Sequence, residues 1–326
     1  MQTAKLFLDA NELSLGSPVS VEGVELNRYP DPAQSALRDT FAQRLGVSSD
    51  RIFCGVGSDE VIDLLIRLFC EPRKDQVLVL EPTYGVYRVQ GNVNAVHVET
   101  VELDSAFQID VTRTLGATTP ETKIIFCCSP NNPTGNLLVM SDILELVSHT
   151  SGIVVVDEAY VDFADGTNSL VSLVERHENL VVLRTLSKSW GLAGIRLGYC
   201  ICHPEIVSFL LRIKAPYSIN AVTSMLALAS LRNEEFFNSA IAAVKRERNR
   251  MVKELGRIGE VRKIYPSDAN FLLVEFLDAG KAFDALKSQG IVVRRRSEPR
   301  LHNCLRMTIG TPEENGIVLR TLAGIQ

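Results

Sequence analysis

Two apolar runs flank a lysine in the segment 180-LVVLRTLSKSWGLAGIRLGYCIC-202. Residues 180–185 and 197–202 show no regular polar alternation, which predicts strands that are buried on both faces. Four further runs of this kind precede them, at residues 77–80, 95–101, 123–127 and 153–157. Amphipathic stretches such as residues 59–70 separate several of the runs. The pattern predicts an α/β fold, in which helices sandwich a mostly parallel sheet.

The pattern of predicted helices and strands changes after about residue 216. A charged helix is predicted over residues 233–255, with residues 245–248 on a solvated face. Strands are predicted at 270–276, 291–294 and 304–309, and helices at 281–289 and after Gly310. Thr311 and Glu314 form a capping-box pattern with Pro312 at the first helical position. We therefore predict an N-terminal arm (1–31) packed on the smaller domain, a large domain (32–235) and a small α+β domain (236–326).

Composition and charge exclude several classes of function. The net charge of −5 argues against a nucleic-acid coat. The seven cysteines form no CxxC pair, and we expect them to be buried apolar residues in a reducing compartment. The five histidines lack metal-site spacing, so no metal site is predicted. The N-terminus resembles neither a signal peptide nor a membrane span, which predicts a cytoplasmic protein.

Lys188 is the first candidate for chemistry. It follows a predicted strand and precedes a glycine-rich turn, where an amine suited to Schiff-base formation would have room for a cofactor. Ser187 and Arg196 add a hydroxyl and a guanidinium that suit a phosphate. Taken alone, Lys188 is better explained as a solvated loop lysine, and the other segments shift the balance.

Three more segments at the ends of predicted strands or helices carry candidate site residues. Asp157 closes an apolar strand, at the edge where open α/β sheets bind ligands, although a helix N-cap is the alternative. Asn132 lies in the 129–135 loop, which alone reads as a plain turn. Gly57 and Ser58 precede a predicted helix, whose N-terminus favours a phosphate. The Walker lysine and the GxGxxG spacing are missing, which disfavours a nucleotide site.

In order and spacing, these segments resemble the fold-type I, class II pyridoxal-phosphate aminotransferases, which share the aspartate-aminotransferase fold. The resemblance covers nearly the whole chain. Within this group the chain resembles the histidinol-phosphate aminotransferases most. The segments that carry this resemblance also include 8-LDANE-12, 27-NRYPDP-32, 81-EPTYG-85, 157-DEAY-160 and 304-CLR-306.

The resemblance implies a role for each site residue. Lys188 would form the Schiff base with pyridoxal 5′-phosphate and shuttle the proton, and Asp157 would pair with the ring nitrogen. Asn132 and Tyr160 would hold the phenolic oxygen, and Tyr84 would stack on the ring. The phosphate would be surrounded by Gly57, Ser58, Asp59, Ser187, Arg196 and, from the partner subunit of an obligatory homodimer, Tyr29. The substrate would be bound by Arg306, assisted by Arg294, with Asn11 and Tyr84 also on the substrate side.

The implied reaction is transamination between histidinol phosphate and 2-oxoglutarate in histidine biosynthesis. An aromatic amino-acid aminotransferase and a threonine-phosphate decarboxylase are alternatives on the same motifs. A transcription regulator with an aminotransferase-like domain is disfavoured, because ten residues before Asn11 cannot house a DNA-binding domain. Members of the resembled family often have a longer arm there, which closes the substrate pocket. The segment that closes the pocket in this chain is therefore not assigned, whereas the cofactor site is unaffected. Arg295 and Arg296 are unassigned, with Arg294 expected inside and Arg295 solvated.

Overall fold

The computed structural model describes residues 21–166 and 168–325. Asn11 and its segment 8–12 therefore lie outside the described residues. Within the described part, the strands form two sheets, one of seven strands and one of four.

The seven-stranded sheet is mostly parallel, as predicted. Its strands are β1 (Ile52–Gly55), β2 (Gln76–Glu81), β3 (His97–Glu102), β4 (Thr122–Cys128), β5 (Ile153–Asp157), β6 (Leu180–Thr185) and β7 (Gly198–Ile201). Across the sheet they run in the order β1-β7-β6-β5-β4-β2-β3. Strands β2 to β6 are parallel to one another, whereas β7 is antiparallel to both β6 and β1. The predictions missed β1 and gave no direction for β7.

The central strands are buried on both faces, which confirms the prediction made from their unbroken apolar runs. On β5, Val154 and Val156 belong to one core, whereas Ile153 and Val155 belong to the core on the opposite face. Strand β3 is an exception, because Val101 is its one buried residue. It lies at the sheet edge, where no strand from the described part of the chain pairs with its outer side, so the expectation of two buried faces was wrong there.

Helices cover both faces of this sheet. Helix α2 (Gly57–Phe69) and helix α6 (Pro204–Ile213) contribute to one core, and α1 (Ser35–Leu45) and α5 (Met140–His149) contribute to the other. The remaining helices that accompany this sheet are α3 (Val86–Val93), α4 (Val111–Gly116) and α7 (Ala221–Ser230).

The four-stranded sheet is antiparallel and packs against three helices. Its strands β8 (Val261–Ile264), β9 (Phe271–Phe276), β10 (Arg294–Arg295) and β11 (Cys304–Thr308) run in the order β10-β11-β9-β8. The helices are α8 (Glu234–Leu255), α9 (Ala279–Ser288) and α10 (Pro312–Ala323). The capping box of Thr311 and Glu314 is present at the start of α10. Strand β8 was not predicted, and the strand predicted at 291–294 is the shorter β10.

Arg248 corrects one sequence-based prediction. It was expected on the solvated face of α8, but it is buried and donates hydrogen bonds to the carbonyl oxygens of Phe163 (3.1 Å) and Ala269 (2.8 Å). A buried guanidinium is tolerated when it is hydrogen-bonded in this way. Helix α8 runs without a break across the proposed boundary at 235/236. The division into arm, large domain and small domain stays a prediction.

The seven cysteines are all buried and unpaired, as expected for small apolar side chains. Among residues 21–166 and 168–325, no helix combines the length and the apolar character that a membrane crossing requires.

Candidate active site

One cavity lies at the carboxyl ends of β4, β5 and β6, the edge at which open α/β sheets bind ligands. It contains every predicted cofactor residue except Gly57 and Tyr29. Its lining consists of Ser58, Asp59, Tyr84, Cys128, Asn132, Asp157, Ala159, Tyr160, Thr185, Ser187, Lys188, Ala193 and Arg196.

Asp157 is the last residue of β5, and its carboxylate is buried in the wall of this cavity. The Tyr87 hydroxyl donates a hydrogen bond to Oδ2 at 2.7 Å, and the backbone N–H of Ala159 donates to Oδ1 at 3.0 Å. Burial raises the pKa of Asp157, and the two hydrogen bonds oppose that shift. Asp157 caps no helix, since the next helical turn has Tyr160 at its N-cap position. The N-cap alternative was therefore wrong.

Lys188 follows β6 and remains accessible from the cavity. Partial burial lowers the pKa of its ammonium group, and the positive charge of Arg306 lowers it further. The carboxylates of Asp157 and Asp59 act in the opposite direction. Lys188 Nζ lies 5.7 Å from the centre of the Tyr160 ring. The cavity therefore holds an amine that deprotonates more readily than an ordinary lysine.

The part of the cavity lined by Arg196 and Ser187 has the character of an anion site. Arg196 Nη2 lies 3.3 Å from Asp59 Oδ2, and its Nη1 donates to the Ser187 hydroxyl at 3.5 Å. Helix α2 begins at Gly57, whose φ is +75°. A Cβ atom at this position would lie 2.6 Å from Arg196 Nη2. The backbone conformation thus favours glycine here, and a side chain would also displace the Arg196 guanidinium from the helix N-terminus.

Gly198 is a site residue that the sequence analysis missed. It is the first residue of β7, and a Cβ atom there would lie 2.2 Å from the backbone nitrogen of Ser58. Neither backbone can move away without breaking a sheet or a helix start. The absence of a side chain at Gly198 therefore lets the start of α2 lie against β7.

Arg306 brings the second sheet into contact with the cavity. From β11, its guanidinium donates a hydrogen bond to the side-chain oxygen of Asn132 on the loop after β4. Its Cζ lies 5.4 Å from the centre of the Phe271 ring. The predicted substrate-binding arginine thus lies beside the predicted cofactor residues.

A second cavity adjoins the first and shares Tyr84 and Asn132 with it. Its lining also includes the arginines at 294, 295, 296 and 306. Arg294 lies directly opposite Arg306 in the β10–β11 ladder, so their side chains are on the same face. Arg296 forms an ion pair with Glu298. Arg294 and Arg295 are both exposed, so the expected contrast between an inside Arg294 and a solvated Arg295 was wrong.

Tyr29 lines neither of these cavities. Its side chain is 57% exposed, and its ring stacks on Tyr217 with a centroid distance of 4.4 Å. Within a single subunit, therefore, Tyr29 is separate from the other predicted cofactor residues.

A network of charged residues behind Lys188 was also missed. Arg184 in β6 contacts Glu158 and Asp162, each at 2.9 Å. Ser189 donates a hydrogen bond to Asp162 at 2.5 Å, so the residue after Lys188 is anchored to this network. The available signal was the arginine itself, which interrupts an otherwise apolar strand. Such an interruption indicates a buried partner.

Comparisons with known proteins agree with this geometry. The family model for aminotransferase class I and II matches residues 8–322. The histidinol-phosphate aminotransferase of Parabacteroides distasonis is 45% identical over 324 residues, which cover 99% of this chain and 92% of that protein. The crystal structure of the histidinol-phosphate aminotransferase from Clostridium acetobutylicum has a TM-score of 0.85 at 26% identity, covering 92% of this chain and 91% of that one.

A third similar protein shares the fold at lower identity. It is the histidinol-phosphate aminotransferase of Sinorhizobium meliloti, solved in complex with pyridoxal-5′-phosphate. Its TM-score is 0.85 at 23% identity, with 92% of this chain and 83% of that chain covered.

Proposed function

The chain belongs to the aminotransferase class I and II family, and from that premise we propose that it is a histidinol-phosphate aminotransferase. It converts histidinol phosphate and 2-oxoglutarate to imidazole acetol phosphate and glutamate, reversibly, in histidine biosynthesis. The observation that carries the proposal is the junction of two cavities at Tyr84 and Asn132. One cavity holds an amine, a buried carboxylate and an anion site, and the other is lined by arginines.

The first cavity suits pyridoxal 5′-phosphate by the chemistry of its donor groups. Arg196, Ser187 and the N-terminus of α2 offer positive potential and donors to the phosphate. Asp157 offers a carboxylate to the protonated ring nitrogen, and Lys188 offers the amine for the Schiff base. Bound there, the cofactor supplies an electron sink and carries the amino group from one substrate to the other.

The residues of the chain transfer protons and orient the cofactor and the substrate. Lys188 Nζ takes the proton from the Cα atom of the bound amino substrate, and its lowered pKa increases the neutral fraction that does this. Asp157 would keep a proton on the ring nitrogen. Asn132 and Tyr160 would hold the phenolic oxygen, and Tyr84 would stack on the ring. These groups fix the position of the reacting carbon relative to the amine.

The arginine-lined cavity supports a phosphorylated substrate. Arg306 and Arg294 lie on one face of the small sheet, and two guanidinium groups can bind a phosphate through paired hydrogen bonds. The same pair suits the side-chain carboxylate of glutamate in the other half-reaction. A phenyl ring offers these arginines no comparable partner, which disfavours an aromatic amino-acid aminotransferase.

The working unit is a cytoplasmic homodimer with shared active sites. The support for sharing is that Tyr29, which like Gly57 does not line the cavity of its own subunit, has an exposed side chain. A twofold interface would use each Tyr29 in the site of the other subunit.

A half-reaction screen tests the proposed substrate. The cofactor-loaded enzyme is mixed in turn with histidinol phosphate, phenylalanine, tyrosine and threonine phosphate, and the cofactor absorbance is followed. We expect histidinol phosphate to give the largest second-order rate constant for the half-reaction. A larger value for phenylalanine would identify an aromatic aminotransferase, and release of carbon dioxide from threonine phosphate would identify a decarboxylase.

A further inference from the structure

Tyr87 is a fully buried tyrosine on α3 that none of the roles above includes. Its hydroxyl donates to Asp157 Oδ2 at 2.7 Å, although the two residues are seventy positions apart in the chain. Because the Ala159 N–H occupies Oδ1, both oxygens of the carboxylate are held by hydrogen bonds. The plane of the carboxylate is therefore defined by the protein before any ligand binds.

The ring of Tyr87 is held as firmly as its hydroxyl. It stacks on Phe126 of β4, with centroids 4.7 Å apart and planes only 5° from parallel. The ring of Tyr84 meets it edge-on at 5.6 Å and 85°. These two contacts fix the orientation of the Tyr87 ring, and the ring in turn fixes the position of its hydroxyl oxygen.

The Tyr87 hydroxyl also affects the ionisation of Asp157, because other charged groups surround this carboxylate. Lys188 favours the ionised carboxylate, whereas burial and the charge of Asp59 oppose it. Burial raises the pKa of the neighbouring Cys128 thiol, so that group stays neutral. Burial and the charge of Asp157 likewise raise the pKa of Tyr87, which therefore remains a donor. Tyr87 is thus a permanent donor to a carboxylate whose burial favours the neutral form.

We propose that Tyr87 is a positioning residue that sets the orientation and charge of Asp157 toward the ring nitrogen of the cofactor. This inference rests on the proposed cofactor and on the role of Asp157, but not on the identity of the substrate. Without the hydroxyl, Asp157 becomes more basic and competes with the ring nitrogen for the proton between them. The cofactor then loses part of its capacity to accept electrons.

The test is Tyr87→Phe, which removes one oxygen atom and keeps the ring. The enzyme is loaded with cofactor labelled with ¹⁵N at the ring nitrogen, and the chemical shift is measured across pH without substrate. We expect the shift to move toward that of a neutral pyridine. The kcat should fall about 10- to 100-fold, as for other hydrogen bonds to charged groups, with little change in the KM for histidinol phosphate. A wild-type shift and pH profile in Tyr87→Phe would overturn the inference.

Two further proteins sharpen the result. Tyr265→Phe is the matched control, because Tyr265 donates to the carboxylate of Glu275 at 3.2 Å in the second sheet, and we expect no change in the nitrogen shift. If Tyr87→Phe fails to fold, a fluorinated tyrosine at position 87 keeps the ring and strengthens the donor. The nitrogen shift should then move the opposite way, and an unchanged shift would also overturn the inference.

The experiment separates this inference from the proposed function. If the wild-type protein does not capture the cofactor, the proposed function fails and takes the inference with it. If it captures the cofactor but prefers another substrate, the substrate assignment alone fails and the nitrogen shift still reports on Tyr87. An unchanged shift in a cofactor-loaded Tyr87→Phe protein contradicts the inference alone.

Discussion

The guanidinium of Arg306 donates a hydrogen bond to the side-chain oxygen of Asn132, and so joins the two sheets of the molecule. With its oxygen occupied, Asn132 directs its amide nitrogen elsewhere, and under the proposed function this nitrogen would donate to the phenolic oxygen of the cofactor. On that proposal, one contact links substrate recognition to the orientation of a cofactor ligand.

Replacing Arg306 should weaken the binding of both substrates. In Arg306→Lys the charge remains but the forked hydrogen bonds are lost, so kcat/KM for histidinol phosphate and for 2-oxoglutarate should fall about 10- to 100-fold. Steady-state kinetics with each substrate varied in turn measures this. Arg257→Lys, at an exposed ion pair with Glu254, is the control and should leave both constants unchanged. Equal constants in wild type and Arg306→Lys would remove Arg306 from the substrate site.

Lys188→Ala should abolish turnover without unfolding the protein. The Schiff-base amine and the proton-transfer group are lost together, so kcat should fall on the order of 10³-fold or more. Cofactor absorbance should show noncovalent binding, and thermal unfolding should be close to that of wild type. Lys263→Ala, on the exposed part of β8, serves as control. Wild-type turnover in Lys188→Ala would refute the assignment.

The lowered pKa of Lys188 predicts a pH dependence of cofactor capture. The neutral amine reacts, so the rate at which the cofactor-free enzyme forms the Schiff base should rise with pH and level off below 10.5, the usual lysine value. Since the charge of Arg306 contributes to the lowering, Arg306→Gln should move the midpoint to higher pH. Arg306→Lys retains the charge and should leave the midpoint in place. Stopped-flow absorbance measures both, and identical midpoints in all three proteins would contradict the prediction.

Gly198→Ala should destabilise the protein and weaken cofactor binding. The added methyl group would lie 2.2 Å from the Ser58 nitrogen, and overpacking of this kind costs about 1–3 kcal/mol. Urea unfolding gives the free energy, and cofactor titration gives the affinity. Gly194→Ala is the matched control, because among the described residues no heavy atom beyond the immediate chain neighbours lies within 4 Å of its added methyl group. Similar losses in the two variants would show that the close approach is not the cause.

Mixed dimers should reveal whether Tyr29 acts across subunits. Tyr29→Phe and Lys188→Ala subunits are exchanged, and the heterodimer is purified by two different tags. The site with an intact Lys188 then receives its tyrosine from the Lys188→Ala chain, so its cofactor affinity should match wild type. An affinity equal to that of the Tyr29→Phe homodimer, or a fully active monomer in sedimentation, would contradict the shared site.

The sequence predicted site residues best where the residue type and its position in a strand both pointed to the same role. Asp157 ends an unbroken apolar strand, and Lys188 follows another, so both could be placed at the ligand-binding edge. Tyr87 could not be found this way, because its partner is distant in sequence and a buried tyrosine in a helix has many explanations. Arg248 was misplaced for a related reason. A charged run in a helix does not reveal which member faces backbone carbonyl groups of another element.

Strand direction and strand length account for the remaining misses. An apolar run has no direction of its own, so the reversal of β7 depends on where the chain re-enters the sheet. Strand β1 has four residues and lies just before a strong helical pattern, which makes its periodicity too short to recognise. Arg294 and Arg295 show a similar limit, since a two-residue strand at a sheet edge leaves both side chains accessible.

The position of β7 has a consequence for the order in which the protein is made. In the described sheet, β7 is the sole neighbour of β1, and it lies about 145 residues later in the chain, a separation that slows folding. A nascent chain emerging from the ribosome must therefore expose β1 as an unpaired edge until residue 201 has been synthesised. Such an edge invites association with other chains, so chaperone demand should be concentrated in this interval. A polypeptide that ends before β7 lacks the strand against which the start of α2 lies.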